Sequence, residues 1–305
     1  MGGGVLSGLR LGVDLGGTKT AIAVLDQSGR EVLKLSAPTP RGDYDSALAA
    51  LAALILDAER RAGTACSVGI GMPGAVSRRS GLVKNAYNTV FNGRPLRSDL
   101  ERLLGREVRI ANDANCFALS EAVDGAARGA GVVFGVILGT GVGGGIVSGG
   151  RILEGCNAIA GEWGHVPLPW MSTGEYPGPP CYCGRAGCIE QFVSGPALAR
   201  DYAAASGVAL EPTAIASGAA RGDARCTEAL RRYEDRLARA LALIVNVLDP
   251  DVIVLGGGLS NVEPLYDGVP RALPRYVYSD TVETRIVRAE HGATSGVRGA
   301  AMLWP

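Results

Sequence analysis

The sequence predicts an α/β protein built from two related lobes with a cleft between them. After three initial strands the chain alternates helix and strand patterns, which is typical of α/β folds with a mainly parallel sheet. A meander of strand, glycine-rich turn, strand, tight turn and strand occurs twice, over 9–36 and over 132–155. With 305 residues, of which 47% are hydrophobic, the chain is long enough for about two domains, each with its own core.

The first meander consists of three apolar runs rich in β-forming residues. They cover 9–13, 20–25 and 31–36, and the turn-forming clusters DLGGTK and DQSGR separate them. The alternation that follows predicts, in chain order, a helix over 44–61, a strand over 67–74, a helix over 95–105, a strand over 107–111 and a helix over 114–127.

The second meander, VVFGVILGTGVGGGIVSGGRILEG, begins the second half of the chain. After it the sequence predicts a long amphipathic helix over 226–248, a strand in DPDVIVLGGGLS that runs into three glycines and a helix, and a short terminal helix. We therefore expect a first α/β lobe over 1–120 and a second over 121–293, with the terminal helix, 294–305, packing back on the first lobe.

Composition excludes several classes of protein. The 30 basic residues balance 30 acidic ones, so no overall field favours nucleic acid or an anionic membrane. The opening MGGGVLSGLR lacks the pattern of a signal peptide, and no stretch reaches the roughly 18 apolar residues of a membrane span. We expect a cytoplasmic protein whose partners are small molecules.

Seven cysteines are an odd number, and four of them are scattered singly along the chain. This is not the even, regularly spaced set of a secreted disulfide framework. The four are expected to be buried or inert thiols: Cys66, Cys116, Cys156 and Cys226.

The two glycine turns of the meanders are candidate phosphate-binding loops. Glycines let backbone amides approach an anion, a threonine adds a hydroxyl donor, and Asp14 can hold a metal-bound water beside the phosphates. The alternative for the first turn is a tight hairpin with incidental glycines. The candidate nucleotide contacts, including a third glycine cluster expected at the adenosine end, are Asp14, Gly16, Gly17, Thr18, Lys19, Gly139, Thr140, Gly141, Gly143, Gly256 and Gly257.

The second turn, over 139–144, also matches the G-x-G-x-x-G pattern of dinucleotide-binding folds. That fold requires a helix after the glycines and an acidic residue about 20 positions further on. The segment that follows here, GIVSGGRILEG, has the pattern of a strand and a hairpin. The dinucleotide interpretation therefore fails on context.

Asn112 and Asp113 stand where a predicted strand ends and a helix begins. Ligands of α/β sheets bind at this position, although Asn and Asp also commonly cap helices, and both roles can coexist. A carboxylate here is suited to accept a hydroxyl proton during phosphoryl transfer. Asp113 is therefore the candidate general base.

Three cysteines stand within eight positions in CYCGRAGCIE, residues 181–190. Gly184 and Gly187 allow the chain to reverse, and His165 in GEWGH supplies a nitrogen upstream. Three thiolates and one imidazole form a closed tetrahedral set for structural zinc, which leaves no open position for catalysis; reduced bystander thiols are the alternative. The predicted ligands are His165, Cys181, Cys183 and Cys188.

Glu162 and Glu190 flank this cysteine and histidine set. Carboxylates suit sugar hydroxyls as paired acceptors, although an exposed glutamate is more often a solvated surface residue. Their closeness to the proposed ligands favours a functional role, in which zinc holds a loop that directs both carboxylates into the cleft.

Seven motifs, which run nearly end to end along the chain, resemble those of the ROK family of sugar kinases and repressors. They are DLGGTKT, GIGMPG, NDANCFALSEA, ILGTGVGGG, GEWGHVPLP, CYCGRAGCIE and DPDVIVLGGGLSN. The resemblance implies the actin-like ATPase fold, which is ribonuclease H-like, with two lobes and a central cleft. It further implies a hexose kinase that uses ATP and Mg²⁺, with residues 12–19 and 139–146 at the nucleotide.

Carried over motif by motif, the resemblance assigns Asp113 as the catalytic base and gives His165 a role toward both sugar and zinc. The implied sugar contacts are Asn112, Asp113, Glu162, His165 and Glu190. A homodimer is also expected from the family. The sugar-responsive repressors of the family carry a DNA-binding helix-turn-helix before the kinase fold, and a first strand near Leu9 together with zero net charge speaks against that alternative.

The preferred sugar is expected from resemblance alone. The stretches VKNAYNTVFNGRPL and GEWGHVPLPWM, the latter followed by CYCG, are most similar to bacterial fructokinases of the manno-fructokinase type. D-fructose, and after it mannose, is therefore the expected substrate, phosphorylated at its primary hydroxyl to the 6-phosphate. The N-acetylglucosamine kinases of the family share NDANCFALSE and LGTGVGGG and are the close alternative, with glucokinase beside them.

Overall fold

The computed structural model describes residues 8–39, 42–86 and 89–305. Its strands are β1 (Arg10–Leu15), β2 (Lys19–Leu25), β3 (Glu31–Pro38), β4 (Ser67–Met72), β5 (Ala75–Val76), β6 (Val83–Lys84), β7 (Val108–Asn112), β8 (Val132–Leu138), β9 (Val142–Ser148), β10 (Arg151–Ile152), β11 (Val252–Gly256) and β12 (Arg285–Arg288). Its α-helices are α1 (Tyr44–Ala62), α2 (Leu96–Leu104), α3 (Asp113–Val123), α4 (Glu190–Val193), α5 (Gly195–Ser206), α6 (Pro212–Ala220), α7 (Ala224–Leu248), α8 (Leu265–Ala272) and α9 (Ser295–Ala301).

Two five-stranded sheets with the same topology organise these elements. Their strand orders are β3-β2-β1-β4-β7 and β10-β9-β8-β11-β12. In each sheet the meander gives two antiparallel pairings and the strands after it give two parallel ones. The duplication predicted from the sequence is confirmed, but the expectation of a mainly parallel sheet is wrong. The short turns of the meanders can join only antiparallel neighbours, so half of the pairings are antiparallel.

Each sheet has its own hydrophobic core. The first combines β1, β2 and β4 with α1 and α2, and the second combines β8 and β11 with α7 and the smaller helices around it. All six residues of β4 are buried, as expected of a parallel strand covered on both faces. No helix in the ranges that the structure describes is both long and apolar enough to cross a membrane.

Helices α3 and α9 pack against each other between the two sheets, α3 mainly on the second and α9 on the first. Helix α3 contacts β8 and β9, and α9 contacts β1, β2 and β4. Glycines permit the close approach: a Cβ on Gly299 would lie 1.7 Å from the carbonyl oxygen of Cys116, and one on Gly12 would lie 2.0 Å from that of Val297. Gly12, which the family resemblance places at the nucleotide, therefore makes room for α9. The boundary at residue 120 stays a prediction.

The sequence did not predict β5, β6, β12, α4, α5 or α6. Three of these are strands of two to four residues and α4 has only four residues, lengths at which periodicity carries little information. Helix α6, PTAIASGAA, consists mostly of small residues and has no clear amphipathic pattern.

Candidate active site

Asn112 fixes the start of α3 at the end of β7. Its side-chain oxygen accepts hydrogen bonds from the backbone N–H groups of Ala114 (2.9 Å) and Asn115 (3.4 Å), and its Nδ2 donates to the carbonyl oxygen of Gly74 (3.1 Å). The helix cap considered from the sequence is therefore present. Because the cap orients the first turn of α3, it also holds Asp113, the first residue of that helix, at the wall of the cleft.

Two carboxyl groups that lie close enough to interact, Asp113 at the start of α3 and Asp14 near the end of β1, have raised pKa values. Burial raises the pKa of Asp113, although a hydrogen bond from the N–H of Ala114 (2.9 Å) opposes the shift. Burial, and next to it the negative charge of Asp113, raises the pKa of Asp14 to about 6. Carboxyl groups held in this way bind a proton more readily than exposed ones, which suits a general base that must receive one.

A cavity of about 720 Å³ opens beside Asp113. Asn112 and Asp113 line one side of it, Glu162 and His165 another, and residues 139–144 of the second glycine turn a third. Four of the five predicted sugar contacts thus meet in one place. Three lining residues that sequence reasoning missed are Ile159, Val166 and Tyr182.

Glu162 and His165 are positioned by a buried tryptophan between them. Trp163 lies in a 3₁₀ turn, Trp163–His165, and its indole Nε1 donates to the carbonyl oxygen of Gly143 on β9 (3.0 Å). A Cβ on Gly144 would lie 2.6 Å from the ring of Trp163. The glycines of β9 therefore serve packing as well as the turn itself.

The predicted zinc ligands come together as the spacing suggested. The ligand atoms of His165, Cys181, Cys183 and Cys188 all lie within 4.8 Å of one another. Gly184 and Gly187 have left-handed backbone angles, with φ of 86° and 74°, which let the cysteine segment turn back.

Two distances within this set match the edges of a tetrahedral zinc site. The Sγ atoms of Cys183 and Cys188 are 3.6 Å apart, and Cys181 Sγ lies 3.6 Å from His165 Nδ1. Bonds of about 2.3 Å to sulfur and 2.0 Å to nitrogen give a tetrahedron with edges of roughly this length. A disulfide would require a sulfur separation of about 2.05 Å, so these thiols are free.

The two ring nitrogens of His165 face different partners. Nδ1 points to the cysteine cluster, and Nε2 lies 2.9 Å from the hydroxyl of Tyr182 at the cavity wall. An imidazole that binds a metal through Nδ1 carries its proton on Nε2 and can donate it to a hydroxyl oxygen. His165 can therefore serve a metal and a hydroxyl simultaneously; here that hydroxyl belongs to Tyr182, and the contact of His165 with sugar stays a prediction.

An ion cluster ties the loop before the cysteines to α7. Glu175 accepts from Arg236 (2.8 Å) and from two nitrogens of Arg239 (2.9 Å each), and Arg239 also donates to the carbonyl oxygen of Trp170. Although burial opposes it, these hydrogen bonds hold the pKa of Glu175 at about 2. These contacts therefore fix the loop to α7, the longest helix of the second core.

Glu190 differs from the other predicted sugar contacts. Its side chain is buried, and its Oε2 accepts a hydrogen bond from the backbone N–H of Val142 (3.0 Å). Glu190 is not one of the described residues that line the cavity beside Asp113. The structure places this carboxylate behind the second glycine turn, and its contact with sugar stays a prediction.

A second cavity, of about 870 Å³, adjoins the first at Gly139 and Thr140. The starts of α5 and α6 form one wall and residues 258–262 form another. Its place beyond the glycine turn suits the adenosine end of a nucleotide. The sequence contained a clue to these walls, because Pro follows Gly195 and Glu211 at two helix starts.

Two members of the third glycine cluster have structural roles. A Cβ on Gly256 would lie 2.5 Å from the ring of Phe117, and Gly257 has a φ of 81° and packs on the carbonyl oxygen of Leu138. Gly258, which follows them, lines the second cavity. The contact of Gly256 and Gly257 with a nucleotide stays a prediction.

The first glycine turn lies at the end of β1 beside Asp14. The N–H of Gly16 donates to the carbonyl oxygen of Lys19 (3.1 Å), and the hydroxyl of Thr39 donates to that of Gly16 (2.6 Å). Among the residues described, Gly16, Gly17, Thr18 and Lys19 line neither cavity. Their role at the phosphates stays a prediction.

Comparisons with known proteins match this chain over nearly its whole length. The sequence profile of the ROK family matches residues 10–305. An N-acetyl-D-glucosamine kinase of Pectobacterium atrosepticum is 42% identical over 296 residues, covering 96% of this chain and 97% of that protein. One from Photobacterium profundum is 43% identical over 296 residues and covers 96% of this chain and 98% of that protein.

Solved structures agree in fold. A ROK hexokinase from Thermus thermophilus has a TM-score of 0.85 and 35% identity, covering 96% of this chain and 97% of that one. A ROK glucokinase from Streptomyces griseus, solved with glucose and AMPPNP, has a TM-score of 0.79 and 30% identity, covering 97% and 99%. The actin-like ATPase fold expected from the sequence is confirmed.

Proposed function

The chain belongs to the ROK family, and from this premise we propose that it is an ATP-dependent sugar kinase that phosphorylates the primary hydroxyl of N-acetyl-D-glucosamine. The observation that carries the proposal is the cavity in which Asp113 faces Glu162 and His165 beside a glycine turn. It combines a proton acceptor, hydrogen-bonding groups for sugar hydroxyls, and backbone amides for phosphates.

Asp113 is the proposed general base. It accepts the proton of the sugar's primary hydroxyl as that oxygen attacks the terminal phosphorus of ATP, and ADP leaves. Phosphoryl transfer depends mainly on positioning and electrostatics, so the capped start of α3 contributes by holding the carboxylate still. The raised pKa of Asp113 favours proton acceptance over that of an ordinary exposed aspartate.

The remaining groups divide between sugar and nucleotide. Asn112, Glu162 and His165 bond sugar hydroxyls, and the turn over 139–143 faces the phosphates of ATP. Mg²⁺ accompanies ATP, and Asp14 would hold one of its water ligands. Structural zinc held by His165 and the three clustered cysteines would keep Glu162 and His165 in place; it supplies rigidity, because four protein ligands close its coordination sphere.

The choice of N-acetylglucosamine over fructose rests on the relatives and on two side chains. The curated relatives named above are N-acetyl-D-glucosamine kinases, so they favour the alternative of the sequence analysis over its main expectation of fructose. Ile159 and Val166 line the sugar cavity and remain 45% and 39% exposed. An acetamido methyl group, which fructose, mannose and glucose lack, would cover apolar surface of this kind.

The test is an ADP-release assay with N-acetylglucosamine, glucose, mannose and fructose supplied separately at equal concentrations. We expect the highest kcat/KM with N-acetylglucosamine. The highest kcat/KM with fructose would instead support fructose as the substrate, as first expected from the sequence. If none of the four sugars caused ADP release, the proposed kinase activity would be refuted.

A further inference from the structure

The carboxylate of Glu190 is buried in the protein interior. Its side chain is only 7% exposed, and its Oε2 is hydrogen-bonded to the backbone N–H of Val142 across 48 residues of sequence. A buried carboxylate is costly unless it is hydrogen-bonded, so this contact fixes where the group sits.

The partner of this carboxylate is the second glycine turn, which links β8 to β9. Within the turn the N–H of Gly139 donates to the carbonyl oxygen of Gly141 (3.0 Å), and from behind, the N–H of Gly195 donates to the carbonyl oxygen of Gly139 (2.8 Å). With Glu190 on Val142, both ends of the turn are held from the second sheet's helices. Gly139 and Thr140, which belong to the segment held by these two contacts, line both cavities.

Because Gly141 has no side chain, it leaves room for the Glu190 carboxylate. A Cβ built on it would lie 2.7 Å from Glu190 Oε2 and 3.7 Å from Cδ, and apart from the two chain neighbours no other residue has an atom within 4 Å of that Cβ. The backbone of Gly141 does not have a left-handed φ, so its conformation alone does not require glycine. The added methyl would point at Glu190, behind the turn.

Glu190 also belongs to the segment that carries the cysteine cluster. It begins α4, two residues after Cys188, and the neighbouring Ile189 N–H pairs with the carbonyl oxygen of Val166 (2.9 Å), next to His165. One short stretch of chain therefore joins the sugar side of the cleft to the phosphate turn.

We propose that Glu190 is a positioning residue for ATP: its carboxylate shapes the 139–142 turn and thereby couples the sugar-side loop to the nucleotide site. This inference rests on the proposed kinase function and goes beyond it, since the sequence and the family resemblance assign Glu190 to the sugar alone. A glutamine at 190 retains an oxygen that can accept from the Val142 N–H, whereas an alanine does not.

The experiment measures binding of the ATP analogue AMPPNP with Mg²⁺ to sugar-free protein by titration calorimetry. Glu190→Ala should weaken binding about tenfold, as expected when an acceptor with full charge is lost, and Glu190→Gln should stay within about threefold of wild type. Gly141→Ala should weaken AMPPNP binding to a similar extent, because its methyl group displaces the carboxylate. The double variant with Glu190→Ala should bind AMPPNP only slightly more weakly than Glu190→Ala alone. Gln191→Ala, the adjacent residue of α4, is the matched control and should bind as wild type.

Wild-type affinity for AMPPNP in both Glu190→Ala and Gly141→Ala, with only KM for the sugar raised, would overturn the inference and make Glu190 a sugar contact alone; the kinase would stand. If Glu190→Ala does not fold, Gly141→Ala and Glu190→Gln decide the same question. Failure of the wild-type protein to bind AMPPNP would instead overturn the proposed function itself.

Discussion

The two halves of the molecule share a topology and differ in what is inserted into it. Strands β1 to β4 and β7 correspond in order and pairing to β8 to β12, and α3 and α9 follow the last strand of each set. One helix, α1, links β3 to β4, whereas the link from β10 to β11 contains the cysteine segment and α4 to α7. The duplicated backbone supplies the cleft, and the unequal segments supply the chemistry.

The starts of the two equivalent helices show the same contrast. Asp113 begins α3 at the cavity, while Ser295 begins α9 and donates a buried hydrogen bond to Glu121 (2.7 Å). Asp113→Asn should lower kcat by roughly 10²- to 10⁴-fold with a much smaller change in sugar affinity, because a general base is lost while the shape remains. Ser295→Ala should lower the thermal midpoint and leave kcat nearly unchanged. Near-normal turnover in a folded Asp113→Asn protein would remove Asp113 from the mechanism.

The cysteine segment has no counterpart in the first half, so breaking it should act first on the sugar side of the cleft, which it supports. We expect one zinc per chain by metal analysis, and loss of that zinc in Cys183→Ala. The variant should bind N-acetylglucosamine at least about tenfold more weakly, because removing groups that orient a metal site typically costs about 10- to 100-fold in affinity or activity. Cys156→Ala, which removes an exposed thiol outside the cluster, is the control and should retain the metal. Protein prepared without chelator that contains no zinc would contradict this expectation.

Asp14 stands before the first glycine turn, whereas Ile137 holds the equivalent place before the second. Because the folded-state pKa of Asp14 is about 6 rather than 3.8, the folded protein binds this proton more tightly, and ionisation costs stability as pH rises through that interval. Asp14→Asn should therefore stabilise the nucleotide-free, magnesium-free protein at pH 8 by about 1–2 kcal/mol, after allowance for solvent screening. The gain should vanish near pH 4.

Urea unfolding at the two pH values measures this difference. A variant less stable than wild type at pH 8 would mean that the fold stabilises the ionised Asp14 carboxylate, which is the opposite of what its burial beside Asp113 predicts.

The smallest expected effect concerns the apolar side of the sugar cavity. Val166→Thr keeps the side-chain shape while replacing a methyl group with a hydroxyl, and Ile159→Thr replaces an ethyl group with a hydroxyl. Each should lower the ratio of kcat/KM for N-acetylglucosamine over glucose about three- to tenfold. Val208→Thr changes an exposed valine outside the cavity and should leave the ratio alone. An unchanged ratio in both cavity variants would place the acetamido group elsewhere.

The sequence predicted features that depend on local pattern. Both meanders, the cap at Asn112 and the cysteine cluster follow from residues close together in the chain, where spacing alone constrains geometry. The mixed pairing of the sheets was also implied by the short turns, although the later alternation suggested a mainly parallel sheet.

Features that depend on distant contacts were not predictable. Glu190 reaches the turn across 48 residues, and Gly12 is small because α9 returns to it from the end of the chain. A glycine that makes room for a neighbouring ring or carbonyl group, as Gly256 and Gly257 do, looks the same in sequence as one that faces a ligand.

The most direct test of the central claim is competition in one tube. Equal concentrations of N-acetylglucosamine, glucose and fructose are supplied with limiting ATP and Mg²⁺, and the phosphorylated products are separated and quantified by chromatography with mass spectrometry, so that their ratio reports the ratio of kcat/KM. We predict that N-acetylglucosamine phosphate is the dominant product. Fructose phosphate or glucose phosphate as the dominant product would contradict the proposed substrate.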